Sequence, residues 1–555
     1  NIHVLTFLFG GEKMVEKGVF IRKASGLVRE VAPIDAWIYN CLTMGWLSVI
    51  AYNVVVNVAI FPGGNHSAAI LMTAVLGTFM WTTYIFITTA MPRSGIDWIA
   101  QSRFISPWIA APIVIGDFFY LVYWDVWAYW FVTFLGLQPF LTVLGAAINN
   151  PSISQLAAWL ITSKGLFIVG MIYLLLMGWQ LSLPIRLFAK IQRGLMFFAT
   201  LAIIVMYAVF AMTPNSIFIQ RFNLFAEAFG VGPDYYHTVI QKASEITNLN
   251  PGFRWYDQIG LMVLIWSLLG WAFWSAQLSG EIKGADKLRV QNFVMNGSGW
   301  ATAIAWLIAW LLISRSAGEE FMKAAGTLGL SGEWELPVAP YLAGYLAGAT
   351  MAPGFGTLII IVLLILALGL ICNGYQVYYN TMVGPIRMFF AMAFDRALPD
   401  VFSKVHRRWH TPVYIVWLAC AVAAIQIYVS AYAPEVAPVF LPAALSSGCI
   451  PYFFTSLAGA LMPYTGKPIY EASPAAKYKL GPIPLITITG AVSCIFNATM
   501  AYYWLTVPEL GINPASMVFV LIAYAIGFVY YIIWRAYRKR QGINLDLAFK
   551  VVPPD

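Results

Sequence analysis

The segment Arg387-Met-Phe-Phe-Ala-Met-Ala-Phe-Asp395-Arg-Ala-Leu-Pro399-Asp-Val-Phe402-Ser-Lys-Val405-His406, closed by Thr411-Pro412, is a charged island between two long apolar runs, 356–382 and 412–432. Each run is about as long as the 20 residues an α-helix needs to cross a hydrocarbon core of roughly 30 Å. Outward from this island the pattern recurs. Twelve apolar stretches are found, at 35–60, 68–91, 108–134, 166–184, 193–213, 259–280, 296–314, 356–382, 412–432, 439–463, 482–507 and 515–536. None alternates polar and apolar residues at every second position, as a barrel strand would. In lipid every backbone polar group must be satisfied within the span, so the stretches are read as helices.

Composition agrees. A chain of 555 residues that is 60% hydrophobic and 10% charged, with mean hydropathy +0.75, cannot be a soluble globule. Of the 32 Lys and Arg, all but Lys164, Arg221, Lys242, Arg254, Arg315 and Lys323 fall on the two termini and the even-numbered connections. That alternation sets both termini in the cytoplasm. The net charge of +8 is then a surface facing anionic lipid and calls for no nucleic-acid partner. Cys41, Cys372, Cys420, Cys449 and Cys494 lie in or beside spans without paired spacing, and are expected to be free thiols packed as small hydrophobes.

Asn1 stands where an initiating Met would, and Gly10-Gly11-Glu12-Lys13 before Met14 would be encoded by a purine-rich stretch resembling a bacterial-type ribosome-binding site. The expectation is a native start at Met14, with residues 1–13 not native. The long connections after Thr213 and after Arg315 are expected to hold short helices flanking an outer vestibule, with simple covering loops as the alternative. The sequence has no G-x-x-x-x-G-K-[ST], H-E-x-x-H or G-x-S-x-G, and five His are too few for a metal cluster. No enzyme activity, cofactor or metal site is expected.

Four motifs carry a resemblance. Met91-Pro92-Arg93-Ser94-Gly95-Ile96-Asp97-Trp98 follows the second span and Ser279-Gly280-Glu281-Ile282-Lys283 ends the sixth. Arg22-Lys23-Ala24-Ser25-Gly26-Leu27-Val28-Arg29-Glu30 precedes the first, and the fourth is the segment from Arg387 to Pro412. Together, in this order and in these connections, they resemble those of amino acid permeases of the amino acid–polyamine–organocation (APC) superfamily. The resemblance implies an all-α integral membrane protein of about twelve transmembrane helices. Its core would be a 5+5 inverted-repeat, leucine-transporter-like arrangement, with two further helices at the C-terminus. The corresponding divisions are a cytoplasmic segment 1–34, a first repeat 35–213, an extracellular loop 214–258, a second repeat 259–463, spans 11 and 12 in 482–536, and a cytoplasmic tail 537–555.

Such transporters hold substrate near the midplane, where the first and sixth helices break. Gly45 lies roughly 15 Å into span 1 and Gly270 roughly 18 Å into span 6, at 1.5 Å per residue. Each is followed by Trp, and Gly lets a helix unwind without steric cost. A break leaves N–H groups at one end and C=O groups at the other, so it can read a zwitterion without charged side chains. Thr43, Met44, Gly45 and Trp46, with Ser267, Gly270, Trp271 and Phe273, are the candidate substrate-binding residues. The competing reading is that either Gly marks close helix packing. The Gly-Phe-Glu of many relatives is Trp271-Ala272-Phe273 here, and the Gly-x-Gly of span 1 is reduced to one Gly.

The Lys that proton-driven relatives carry in span 5 aligns with Ala199. Candidates for coupling are Asp117 and Asp125, acids at membrane depth, and Asn373 and Tyr375, oxygen donors suited to Na+; helix-bridging roles are the alternative for each. Arg93, Arg387, Asp395 and Arg396 are read as a cytoplasmic gate, against a solvated charged loop. The family's Gly after the Asp of this motif is Arg396, and its preceding Arg is Phe394. The function implied is secondary active transport of amino acids across the cell membrane by alternating access, coupled to H+ or Na+ as symporter or antiporter. An amine or polyamine carrier, and a non-transporting receptor or channel on the same scaffold, stand as alternatives.

Overall fold

The computed structural model of the chain describes residues 26–433, 435–550 and 552, and at 125, 127, 128, 437, 438, 441–443 and 445–447 the backbone alone. The expected start at Met14, the motif residues Arg22 to Ser25 and the side chain of Asp125 therefore lie outside the described residues. About 80% of the chain is helical. Among the described residues the strands are one antiparallel pair, Lys479–Leu480 with Ile483–Pro484.

Eleven helices are long and apolar enough to span a membrane. The tenth expected span corresponds to a further helix, Ala437–Thr465, of 29 residues. All twelve expected spans are thus helical, and the chain is an all-α membrane protein. Their limits follow local chemistry. Asn65, Thr162 and Asn513 each accept a backbone N–H at the start of spans 2, 4 and 12, satisfying donors that a helix leaves orphaned. Pro514 sits in the first turn of span 12, and Arg538, Lys539 and Arg540 close its last turn against the helix dipole.

Spans 5, 7 and 8 run further than their apolar windows, over Ile185–Met212, Leu288–Ala317 and Thr357–Phe394. Hydropathy marks only the part of a helix that meets lipid, and the polar turns beyond remain helical. The two long connections hold the expected short helices, Asn215–Ala228 and Tyr235–Ile246, then Glu319–Ser331 and Leu342–Thr350. They bury an aromatic core of their own, with Phe321 stacked on Tyr236 at 4.4 Å and edge-on to Phe222 at 4.9 Å. Two short helices, Ile96–Phe104 and Pro151–Leu160, were not anticipated.

The connections sort onto two faces. On one, Ser94 meets Glu281, Arg103 meets Asp395, Thr411 meets Leu183 and Thr465 meets Phe104. Both ends of the described chain are there as well, through Gly26 with His410 and Ala548 with Arg103. On the other, Gly63 meets Asp257, Gln138 meets Pro337, Asn215 meets Ser316 and Tyr256 meets Glu509. The even-numbered connections thus gather on a basic face and the first, third, fifth, seventh and eleventh opposite it.

Candidate functional site

Span 1 is two half-helices, Pro33–Thr43 and Ser48–Ile60, joined by Met44–Leu47. Gly45 has φ +78°, and a Cβ there would lie 2.1 Å from Val49, so this turn requires glycine. The N–H groups of Gly45 and Trp46 close back on the carbonyls of Leu42 and Cys41, the Schellman arrangement. Across the gap, the N–H groups of Leu47 and Ser48 both donate to Asn373 Oδ1, at 2.7 and 2.8 Å. Asn373 Nδ2 donates to the Leu42 carbonyl at 3.4 Å. One carboxamide from span 8 therefore has its acceptor on the N–H end of the break and its donor on the C=O end.

Span 6 changes pitch rather than opening. The α-helix Trp255–Leu269 gives way to a 3-10 stretch, Gly270–Glu281, far longer than the 3–4 residues such helices usually run. Tertiary contacts hold it. Asn40 of span 1 accepts from the Ser275 N–H at 2.8 Å and donates to its Oγ at 3.0 Å. Trp274 packs so close to span 8 that a Cβ on Gly384 would lie 2.0 Å from its ring.

Between these two discontinuous spans lies a cavity of about 140 Å3. The second half of span 1 contributes Tyr52 and Asn53, span 3 Trp124 and Phe131, and span 6 Ser267. Its mouth is on the face opposite the basic one, beside Trp504 at the end of span 11 and Glu509 of the connection between spans 11 and 12. A small recess of about 10 Å3, sharing Trp124 and Ser267, continues it towards Trp271, Cys449 and Tyr452.

Below the recess the path is shut twice. The first layer is aromatic: Trp271 against Trp274 at 4.8 Å, Phe273 stacked on Tyr84 at 3.9 Å, and Tyr452 edge-on to Phe273 at 4.8 Å. The second is ionic. Arg387 grips Glu281 through Nε at 2.7 Å and Nη2 at 2.9 Å, with both residues buried. Arg103 grips Asp395 at 2.6 and 3.0 Å, and Trp98 Nε1 donates to the same carboxylate at 2.8 Å.

The motifs scattered along the sequence meet in this layer. Gly95, at φ +77°, lets the second-span motif press against span 8, where a Cβ would lie 2.5 Å from the Arg387 carbonyl. Its N–H donates to the Gln277 carbonyl, and Ser279 Oγ to that of Arg93. A Cβ on Gly26 would lie 2.8 Å from Val405 of the fourth motif.

Of the residues read as substrate-binding, Ser267 and Trp271 line the cavity or its recess. Thr43 donates to the Tyr39 carbonyl at 2.6 Å, Met44 is fully buried, and Trp46 is half-buried beside Trp37 and Met196. Gly270 packs on Trp266, and Phe273 belongs to the aromatic layer. Among the coupling candidates, Asn373 closes the break, and Tyr375 donates to Gln180 of span 4. Asp117 is buried beside Tyr524 of span 12, outside the cavity lining. Of the gate residues, Arg387 and Asp395 carry the two ion pairs. Arg396 sits at φ +61°, its carbonyl accepting from Trp534 and Arg538, and Arg93 reaches the Pro92 carbonyl.

Sequence reasoning missed Glu281 and Arg103 as members of this layer, and Asp97 beside it, whose carboxylate accepts from Tyr84, Thr455 and Gln277. A signal existed for the first: an acid in one motif and an arginine in another, both at the ends of spans, need partners. Arg103 and Asp97 lie on the unanticipated helix Ile96–Phe104, and no spacing rule pointed to them.

Twelve helices alternating between two faces, with discontinuous first and sixth spans around a cavity closed on one side, define a multi-pass membrane permease. The family model described as Amino acid permease matches residues 44–530. The chain belongs to this family of the APC superfamily, whose members are transporters of amino acids rather than enzymes. A search among curated proteins gives no match.

Proposed function

We propose that this chain is a secondary active transporter that moves amino acids across the cell membrane by alternating access, driven by a proton or Na+ gradient. The basic face is cytoplasmic, and spans 1–5 and 6–10 are the two inverted repeats. The observation that carries the reading is the position of the cavity. It lies between the second half of span 1, span 3 and span 6, open away from the basic face, with an aromatic and an ionic layer beneath it.

The substrate is an apolar zwitterion. Tyr52, Trp124, Phe131 and Leu264 give the lining its character, while Asn53 and Ser267 supply polar contacts without a charge. Its carboxylate takes the N–H groups of Leu47 and Ser48, displacing the Asn373 oxygen that holds them here. The residues Thr43 to Trp46 and Gly270 to Phe273 act by forming the two discontinuities. At about 140 Å3 the cavity is smaller than the roughly 300 Å3 at which small-molecule sites begin, so binding widens it.

The test is uptake into proteoliposomes of a mixed panel of labelled amino acids and amines, with Na+ and proton gradients imposed separately. Accumulation of an apolar amino acid under one gradient is the expected result. Accumulation of amines alone, or no flux through a folded preparation, would overturn it.

A further inference from the structure

Asp97 is 2% exposed, in the short helix between spans 2 and 3. Its Oδ1 accepts from Tyr84 of span 2 at 2.8 Å and from Thr455 of span 10 at 2.9 Å, and its Oδ2 from Gln277 of span 6 at 2.6 Å. All three donors are neutral, and among the described residues no cation pairs with it. The neighbouring arginines are already engaged, Arg387 by Glu281 and Arg103 by Asp395. Span 3 presents Asp117, another acid, and span 10 presents Tyr452. On the C-terminal stretch Leu545–Lys550, Asp546 is bound to Arg535 and Lys550 is exposed.

A buried carboxylate without a cation is costly, and a protonated one is not. The surroundings accept the protonated form. Tyr84 and Thr455 hydroxyls can turn from donor to acceptor. Gln277 is fully buried with its Oε1 making no hydrogen bond, so it has an acceptor to offer a carboxylic O–H after its amide rotates.

We propose that Asp97 is a proton-binding site that couples a proton to movement of span 6. The inference rests on the transporter reading above. Ionised, Asp97 ties Gln277, and with it the 3-10 stretch that also carries Glu281, to spans 2 and 10. Taking a proton from the aqueous phase on Oδ2 removes the buried charge and replaces the charge-assisted Gln277 bond with a weaker neutral one, which loosens that stretch against the Arg387 layer. Burial supports this, raising the carboxyl from 3.8 to about 6 despite the three hydrogen bonds.

The experiment is a pH titration of the purified full chain by infrared difference spectroscopy, followed in proteoliposomes by uptake under a proton gradient. The carboxylic C=O band that disappears as pH rises through about 6 should be present in the wild type and in the D117N variant, and absent in D97N. D97E, which keeps a titratable group, should retain a band at a shifted pH and so excludes loss of fold as the cause. Proton-driven accumulation should collapse to background in D97N. A band unchanged in D97N overturns the site. A band lost in D97N while proton-driven accumulation persists overturns the coupling. The infrared readout needs no transport, so it decides the site even where the transporter reading fails.

Discussion

Asn373 shows how one side chain can do the work of a bound ligand. Its amide oxygen holds two N–H groups at a helix start, and a carboxylate oxygen would form the same bonds with charge assistance. The N373D variant keeps an acceptor for the cap but loses the Nδ2 donor to Leu42 and buries a charge, so it should be less stable than wild type by about 1–3 kcal/mol in thermal unfolding. It repels a substrate carboxylate, so the apparent KM for uptake should rise about tenfold or more, a coupling of roughly 1.4 kcal/mol. Unchanged KM would remove the carboxylate from this position. Asn373 was legible in the sequence as a polar residue at membrane depth, but its partners were not. They are backbone groups more than 300 positions away, which no local pattern encodes.

Arg396 occupies the place where the family has Gly, and the backbone shows why Gly is common there. At φ +61° a side chain costs about 1 kcal/mol or more. Arg396→Gly should raise the melting temperature or leave it unchanged, and a clear fall would show that the side chain's contacts outweigh the strain. Asp97 gives a pH dependence of stability. Its folded value of about 6 lies above the ordinary 3.8, so between these pH values the native state holds a proton that the unfolded chain has lost. Its contribution is complete below pH 3.8 and is lost as pH rises through about 6. The slope of melting temperature against pH in that window should become less negative in D97N.

At the scale of elements, the layer under the cavity depends on two close approaches and two ion pairs. Breaking the buried Glu281–Arg387 pair from one side leaves a bare charge, at a cost of about 3–5 kcal/mol, while removing both partners costs less than the sum. Thermal unfolding of E281Q, R387M and the double variant checks this, and simple additivity would contradict it. A Cβ on Gly95 meets the Arg387 carbonyl at 2.5 Å from a left-handed backbone, so G95A should lose more than about 2 kcal/mol. The discontinuities themselves were readable, because Gly45 and Gly270 sit at matched depth. Their forms differ for a reason the sequence does not contain: span 1 turns through φ +78°, whereas span 6 is held in a 3-10 coil by Asn40, Ser275 and Trp274.

At the scale of the whole molecule, apolar length and the distribution of Lys and Arg were enough for the helices and the sorting of their connections, because the bilayer imposes both. What the bilayer does not impose was hidden: helix lengths beyond the lipid, the short helix Ile96–Phe104, and the assembly of scattered motifs into one layer. In this transporter the cavity faces one side while this layer seals the other. That sidedness is tested most directly by S267C, on a background with Cys41, Cys372, Cys420, Cys449 and Cys494 replaced, using a membrane-impermeant thiol reagent. Labelling is expected from the face opposite the Glu281–Arg387 pair, with protection by a transported amino acid. Labelling from the basic face alone, or labelling that a transported substrate does not slow, would contradict it.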